Sequence, residues 1–313
     1  MFDRGFFKRL AHNDTGAARG HQGGIVVPKD LARFFPPLPT ATSELRPTVD
    51  VRLYADLIVD GVWVATVETR YQHQTWGGTR RAERRLTDNL GPLRNLATAD
   101  DILIFSRDLD SDARIRLDLV RKQSPEFSAL SDGLGVRRWG ALDLSDPPAT
   151  LAEIDDADAR IDQQLSGAPE VFSDERQAWQ VSTIRRARDR AFRQRLLQEY
   201  GFRCTFSDQS FADPRTKATY GLDAAHIVPV HANGSDDPAN GLLLSKDLHW
   251  AFDRGMIGVA EDRRIIVAKS AQDIVGNAHL SSFHGRPMRE AQSIRARPQE
   301  DALAWHRENV LLT

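Results

Sequence analysis

The chain has one cysteine, Cys204, in 313 residues. That excludes an intramolecular disulfide and any zinc site built on paired cysteines, so no structural zinc is expected. Cys204 itself reads as a small buried apolar residue. No run approaches the ~20 apolar residues that span a bilayer. The opening MFDRGFFKRL has no apolar core of signal-peptide length. The expectation is a cytoplasmic protein with no membrane partner. There is no internal repeat, no low-complexity tract and no glycine loop of the P-loop kind. Net charge is also lacking: 42 Lys and Arg stand against 44 Asp and Glu, leaving −2.

The balance conceals strong local asymmetry. Residues 145–175 hold nine acids and one base, Arg160. Residues 176–195 hold seven arginines and one acid, Asp189. Residues 70–85 hold five arginines and one acid, Glu83. Local patches, not net charge, set the field that a phosphate backbone feels. The length suggests two domains, and a hydrophobic fraction of 41% suffices for two cores.

The most informative stretch is 223–253, DAAHIVPVHANGSDDPANGLLLSKDLHWAFD. Small and β-branched residues around His226 read as a short strand. HANGSDDPANG is dense in turn formers and reads as a loop. Residues 242–252 read as a short helix, on which His249 and Asp253, four apart, share a face. One imidazole on a strand, a loop pinned by Asn240, and an imidazole with a carboxylate on a helix suit metal-assisted phosphodiester cleavage. A neutral histidine deprotonates water, and a hard cation held by N and O ligands stabilises the extra charge on phosphate. His231, in the loop, reads equally as a phosphate contact or a solvated side chain.

This pattern resembles the HNH (ββα-metal) nuclease family, and the flanks QRLLQEYGFRC and LHWAFDRGMIGV resemble its restriction-endonuclease branch. The resemblance runs from about residue 176 to the end. It implies that His226 is the general base, that Asn240 braces the loop, and that His249 is a metal ligand. Asp253 falls where some members have a further ligand. Many members place an Asp or His ligand immediately before the general base, and here that residue is Ala225. On a strand, Asp223 lies on the same side as position 225, from which it reaches the metal through water or merely ends the strand. The implied cofactor is Mg²⁺, with Mn²⁺ or another divalent cation as alternatives. Many HNH proteins carry a cysteine pair where CTFSDQSF stands; its structural role passes here to packing by Phe202, Phe206 and Phe211.

In the N-terminal part, the strand signals are 25–27, 51–58, 62–71, 100–106 and 115–121. KRLAHNDTG followed by HQGGIVVPK resembles the N-terminal effector domain of EcoRII-type restriction enzymes, a DNA-binding barrel-like fold related to plant transcription-factor domains. QHQTWGGTRRAERRLT resembles its basic recognition arm. The resemblance implies DNA contacts from Lys8, Arg9, Asn13, Asp14, His21, Arg80, Arg81, Glu83, Arg84 and Arg85. Arginine pairs bidentately with guanine and Glu accepts from cytosine N4, so the arm suits a site with C·G pairs. Lys8, Arg9 and His21 suit phosphate contacts that fix register. The competing reading of the arginine run is a solvated hairpin face. Tyr71 reads as core; Trp76 is open between core and groove wedge.

Between the halves, the apolar positions Leu151, Ile154, Ile161 and Leu165 permit an amphipathic acidic helix. It reads either as a soluble linker or as a DNA mimic resting on a basic surface. Residues 176–200 read as an arginine-rich helix with Trp179, Ile184, Ala187, Ala191 and Leu196 inward. Some of its arginines track phosphates or pair with the acidic helix. A hairpin at 256–267 and a closing helix follow, with His306 structural or exposed.

The expected fold class is α+β: an N-terminal β-rich pseudobarrel over 1–140, an acidic linker over 141–175, and a ββα-metal HNH domain over 176–313. The expected activity is sequence-specific cleavage of double-stranded DNA, with Arg254 near phosphate. One nuclease module per chain and two strands to cut suggest a homodimer on a palindrome, and a cognate DNA methyltransferase is the implied partner. Two alternatives stand. One is a modification-dependent nuclease, which would need an aromatic sandwich for a flipped base, with Trp63, Trp76 and Tyr71 as candidates. The other is a DNA-binding protein whose nuclease module is inactive, for which Ala225 is the sole argument.

Overall fold

A computed structural model describes residues 2–17, 23–38, 41–78, 81–173, 182–214 and 219–313. The chain divides into two compact units, Met1–Glu153 and Ile154–Thr313.

The first unit is built on one curled sheet. Its strands are β1 (Phe6–Arg9), β2 (Ile25–Val27), β3 (Thr48–Val59), β4 (Val62–Gln74), β5 (Glu83–Thr87), β6 (Ile102–Arg107), β7 (Arg114–Val120) and β8 (Trp139–Ala141). They lie in the order β2-β5-β4-β3-β7-β6-β1-β8. The β3–β7 pair is parallel and the remaining pairs are antiparallel. Two helices accompany the sheet, α1 (Gly91–Arg94) and α2 (Phe127–Leu134).

Alternation explains the core. Leu53, Ala55 and Leu57 of β3 point inward beside Leu117, Leu119 and Leu103. Phe6 stacks between Phe34 and Phe105, at 5.0 and 5.1 Å. Its neighbour Phe7 points to the opposite face and joins Ile102, Val120 and Leu134 of α2 in a second cluster, as the pleat requires. Burying one such side chain is worth about 1.5–3 kcal/mol. The long β3–β4 hairpin turns on Asp60 and Gly61, with φ of 49° and 77°, the positive-φ pair that a tight hairpin favours.

The ends of the curl are joined by side chains. Lys8 of β1 donates to the Val26 carbonyl of β2 at 2.6 Å, and Trp139 of β8 reaches Asp30 at 3.4 Å.

The second unit contains α3 (Leu151–Ser166), which begins at the unit boundary, and α4 (Ser182–Glu199). Then come the two-residue strands β9 (Phe211–Ala212) and β10 (Thr219–Tyr220), the hairpin β11 (Leu222–His226) and β12 (Gly241–Ser245), and α5 (Lys246–Asp253). A second hairpin, β13 (Ile257–Val259) and β14 (Ile265–Val267), precedes α6 (Lys269–Gln272), α7 (Ala278–Ser281) and α8 (Glu300–Asn309).

The acidic segment forms the amphipathic helix that its apolar positions permit. Ile154, Ala157 and Ile161 of α3 are buried, and Asp158 pairs with Arg190 of α4 at 3.1 Å. Asp162 also pairs with Arg195. Residues 242–245 are strand, not helix. Leu242, Leu243 and Leu244 are all fully buried, so the strand is covered on both faces and shows no alternation, which makes it indistinguishable by pattern from the helix it feeds. Phe206 is buried near the Phe252 ring, at 6.2 Å, but Phe202 and Phe211 are 47% and 62% exposed, so packing near Cys204 rests on Phe206. Along α4 the buried stripe is Ala187, Ala191, Phe192, Leu196 and Leu197; Ile184 is half-buried, and Trp179 lies outside the described residues.

Candidate active site

β11 and β12 run antiparallel, with Asp223 opposite Leu244, Ala225 opposite Leu242 and His226 opposite Gly241. α5 follows β12 directly and packs on the hairpin. α4 covers the other side so closely that a Cβ on Gly241 would meet Phe192 at 2.6 Å and Leu196 at 2.7 Å. A side chain there would have to push both aside.

Asn240 is fully buried at the end of the loop between the strands. Its Oδ1 accepts from Val228 N at 2.9 Å, and its Nδ2 donates to Val228 O and Ser235 O, each at 3.0 Å. The side chain thereby replaces a missing backbone ladder where the strand leaves the sheet. Asp237 secures the same loop. Its carboxylate accepts from Ala239 N at 2.9 Å and receives both terminal nitrogens of Arg295, at 2.8 and 2.6 Å. The Asp-Pro dipeptide is a recognisable cap, with Pro at the first helical position. The sequence reading missed it.

His226, at the end of β11, lies flat against Phe192 of α4, with ring centroids 4.2 Å apart. Its Nε2 faces Asp236 Oδ1 at 3.1 Å. Asp236 is buried and also pairs with Arg188 of α4 at 2.8 Å. Neither Asp236 nor Arg188 was singled out from sequence.

His249, on α5, is flanked by two carboxylates. Nδ1 lies 3.6 Å from Asp223 and Nε2 lies 3.4 Å from Asp253. Lys246 reaches Asp223 at 3.1 Å. The facing His249 nitrogen, then Lys246, hold the Asp223 carboxyl at about 2, against the opposing effect of its burial. Burial pushes the Asp253 carboxyl up. The two carboxylates face opposite nitrogens of one ring, so a single ion cannot bind all three groups in this arrangement. Among the described residues no set of three His, Cys, Asp or Glu side chains closes around one point. The donor chemistry nevertheless fits a hard divalent cation at one edge of His249, with an imidazole nitrogen and an ionised carboxylate. Ala225 is buried; Asp223, two residues before it on the same face, is the group that reaches the helix. Arg254 is exposed and sits over the Trp250 ring at 5.9 Å. His231 is exposed.

In the first unit the expected DNA contacts separate into two groups. Lys8 is 7% exposed and pairs with Asp14 at 2.7 Å. Burial lowers its pKa, which the neighbouring carboxylate opposes. Asp14 also accepts from Ala11 N and Val26 N, each at 2.8 Å. The phosphate-contact expectation for Lys8 thus gives way to an internal pair that closes the curled sheet. Arg9 is bonded to the carbonyls of Arg137, Ser131 and Gly135 at 3.0–3.2 Å. Arg85 is buried and pairs with Glu83 at 2.6 Å. Arg81 is exposed and Arg84 half-buried, and neither has an ion-pair or hydrogen-bond partner among the described residues. Both line one cavity with Lys29 and His73. Asn13 is half-buried. His21 and Arg80 lie outside the described residues.

The aromatic candidates for a base sandwich are not gathered. Tyr71 is in the core, stacked on Phe35 at 4.6 Å. Trp63 is exposed near the far end of the same strand, eight residues or roughly 27 Å away.

Comparison with known proteins agrees with the two units. Residues 4–120 match the family of the restriction endonuclease EcoRII N-terminal domain. Residues 204–260 match the HNH endonuclease family. The chain thus joins an EcoRII-type N-terminal domain to an HNH endonuclease domain. Among solved structures, a modification-dependent TagI restriction endonuclease is similar at 21% identity and TM-score 0.31, covering 38% of this chain and 37% of that one. The B3 domain of the UbaLAI restriction endonuclease, solved with cognate DNA, is similar at 21% identity and TM-score 0.31, covering 41% of this chain and 75% of that one. The chain therefore spans little more than a third of the first of these. No curated protein matches it.

Proposed function

We propose that this protein is a sequence-specific restriction endonuclease: the first unit reads a short duplex site and the second hydrolyses a phosphodiester bond within or near it. The observation that carries the reading is the ββα arrangement of His226, Asn240 and His249 in a chain that also has an EcoRII-type domain. His226 accepts a proton from water as that water adds to phosphorus, and the bond from phosphorus to the leaving oxygen breaks. Asn240 keeps the strand end in place. His249 with Asp223, or with Asp253, would hold a divalent cation such as Mg²⁺ or Mn²⁺, which when bound supplies stabilisation of the extra negative charge on phosphate. Asp223 takes the place of the ligand absent at Ala225. Arg254 contacts a neighbouring phosphate.

Arg81 and Arg84, which have no protein partner among the described residues, are the groups of the recognition arm offered to DNA. A guanidinium reads guanine in the major groove, so the site contains C·G pairs. A homodimer on a palindrome supplies the two cuts. Such an enzyme works in the cytoplasm beside a cognate methyltransferase that protects host sites.

The test is digestion of unmethylated and cytosine-methylated plasmid with Mg²⁺ or Mn²⁺, followed by sequencing of the ends. Discrete fragments from unmethylated DNA are expected. Fragments from methylated DNA alone would replace this reading with a modification-dependent one. No cleavage of either, with DNA binding intact, would mean an inactive nuclease module.

A further inference from the structure

The loop that carries Asp236 is clamped on both sides of that residue. Before it, Ser235 N donates to Val171 O at 3.0 Å, Ser173 N donates to Asn233 O at 2.8 Å, and Ser235 Oγ bonds Glu170 O. After it, Asp237 is capped into the loop and held by Arg295. Gly234 allows this tight path, since a Cβ there would lie 1.7 Å from the Val228 carbonyl oxygen. A buried carboxylate in so fixed a loop has a defined direction, and its Oδ1 is aimed at His226 Nε2.

We propose that Asp236 is a positioning residue for the general base, holding His226 in the tautomer with the proton on Nε2, and that Arg188 keeps Asp236 ionised and oriented. The proposal rests on His226 being the base. A carboxylate only accepts hydrogen bonds when ionised, so the facing nitrogen must carry the proton. Nδ1 then holds the lone pair that takes the proton from water. Phe192, against the ring face, and Asp236, at its edge, together remove the two rotations by which an imidazole would lose aim. Arg188 approaches the other oxygen of the same carboxylate at 2.8 Å. This pairing balances the buried charge, and without it Asp236 would be costly to keep ionised. Among the described residues, the charged groups near the pair include Arg188 from α4 and, lining the adjoining cavity of about 570 Å³, Asp156 and Arg160 from α3.

The competing account is a purely structural ion pair between the loop and α4. The two differ in what they predict for the imidazole. Two-bond ¹H–¹⁵N spectra of ¹⁵N-histidine protein above pH 8, with the His226 signal assigned by its loss in His226→Ala, read the tautomer without any cleavage assay. The expected result is an Nε2–H ring in the wild type and a mixture of tautomers in Asp236→Asn. An Nδ1–H ring in the wild type, or an unchanged tautomer in a folded Asp236→Asn, would overturn the proposal.

Cleavage kinetics supply the second readout. Asp236→Asn should lower kcat/KM about 10²-fold or more, within the range general-base catalysis supplies, with DNA affinity unchanged. A neighbouring negative charge favours the imidazolium, so its removal should also move the acidic limb of the pH profile to lower pH. Wild-type rate and profile in Asp236→Asn would contradict the proposal. Full activity of His226→Ala would instead remove the reading of His226 on which it rests.

Discussion

Asn240 binds both polar backbone atoms of Val228, twelve residues away: its Oδ1 takes the amide and its Nδ2 gives to the carbonyl. That relationship sets the exit path of the loop after His226. Asn240→Ala strands three buried backbone groups. The expected destabilisation is about 3 kcal/mol or more, a fall of about 10 °C in the melting transition of the second unit. An unchanged transition would show that the loop holds its shape without this side chain.

His306 supplies a pH dependence. It lies on α8, stacked on Phe252 at 3.8 Å, with Nε2 donating to the Phe252 carbonyl at 3.1 Å. Its Nδ1 is buried with no partner among the described residues, and burial pushes its pKa down to about 4. The folded protein therefore binds fewer protons than the unfolded chain between pH 6.5 and 4. Stability is complete above pH 6.5 and falls as pH drops toward 4, by up to about 3 kcal/mol. Urea titrations across this window should show the loss in the wild type and a smaller one in His306→Gln. Equal slopes would remove His306 as the cause.

The acidic helix α3 gives a salt-sensitive prediction. Its apolar stripe is buried, so the helix stays in place. Its carboxylates at Asp158 and Asp162 pair with the buried Arg190 and with Arg195, and DNA phosphates would compete for the more accessible Arg195. Asp162→Asn should tighten non-specific DNA binding and steepen its salt dependence by up to about one unit of log–log slope. No change at low salt would assign the helix a structural role alone.

The recognition arm can be dissected by contrast. Arg84→Ala should cost about 1–3 kcal/mol on the cognate site and little elsewhere, and Arg81→Ala should weaken all sequences and lower the salt slope by about one. Lys8→Met should act mainly on the stability of the first unit, because it breaks the pair with Asp14. A selective loss of DNA binding in a fully stable Lys8→Met would contradict the internal role.

Much of the candidate site was legible from sequence because it is made of rare residue types at fixed intervals. His226, Asn240 and His249 stand out among turn formers and leucines, and the strand signal of residues 62–71 alternates while that of 51–58 does so only in part. The rest was hidden for physical reasons. The Leu242–Leu244 run is buried on both faces and carries no period. Asp236 and Asp237 are adjacent identical letters, and only the folded loop separates the residue that turns to His226 from the one that caps a turn. Lys8 and Arg9 have the composition of phosphate contacts, but the closure of the curled sheet, which depends on strands far apart in sequence, draws Lys8 inward, and Arg9 bonds the carbonyls of Ser131, Gly135 and Arg137.

The central claim is that His226 performs the proton transfer for DNA cleavage. The most direct measurement is single-turnover cleavage of a fragment bearing the mapped site by wild type and His226→Ala, with binding to the same fragment measured in parallel. The variant is expected to bind as tightly as the wild type and to cleave at least about 10²-fold more slowly. Cleavage by the variant at the wild-type rate would contradict it.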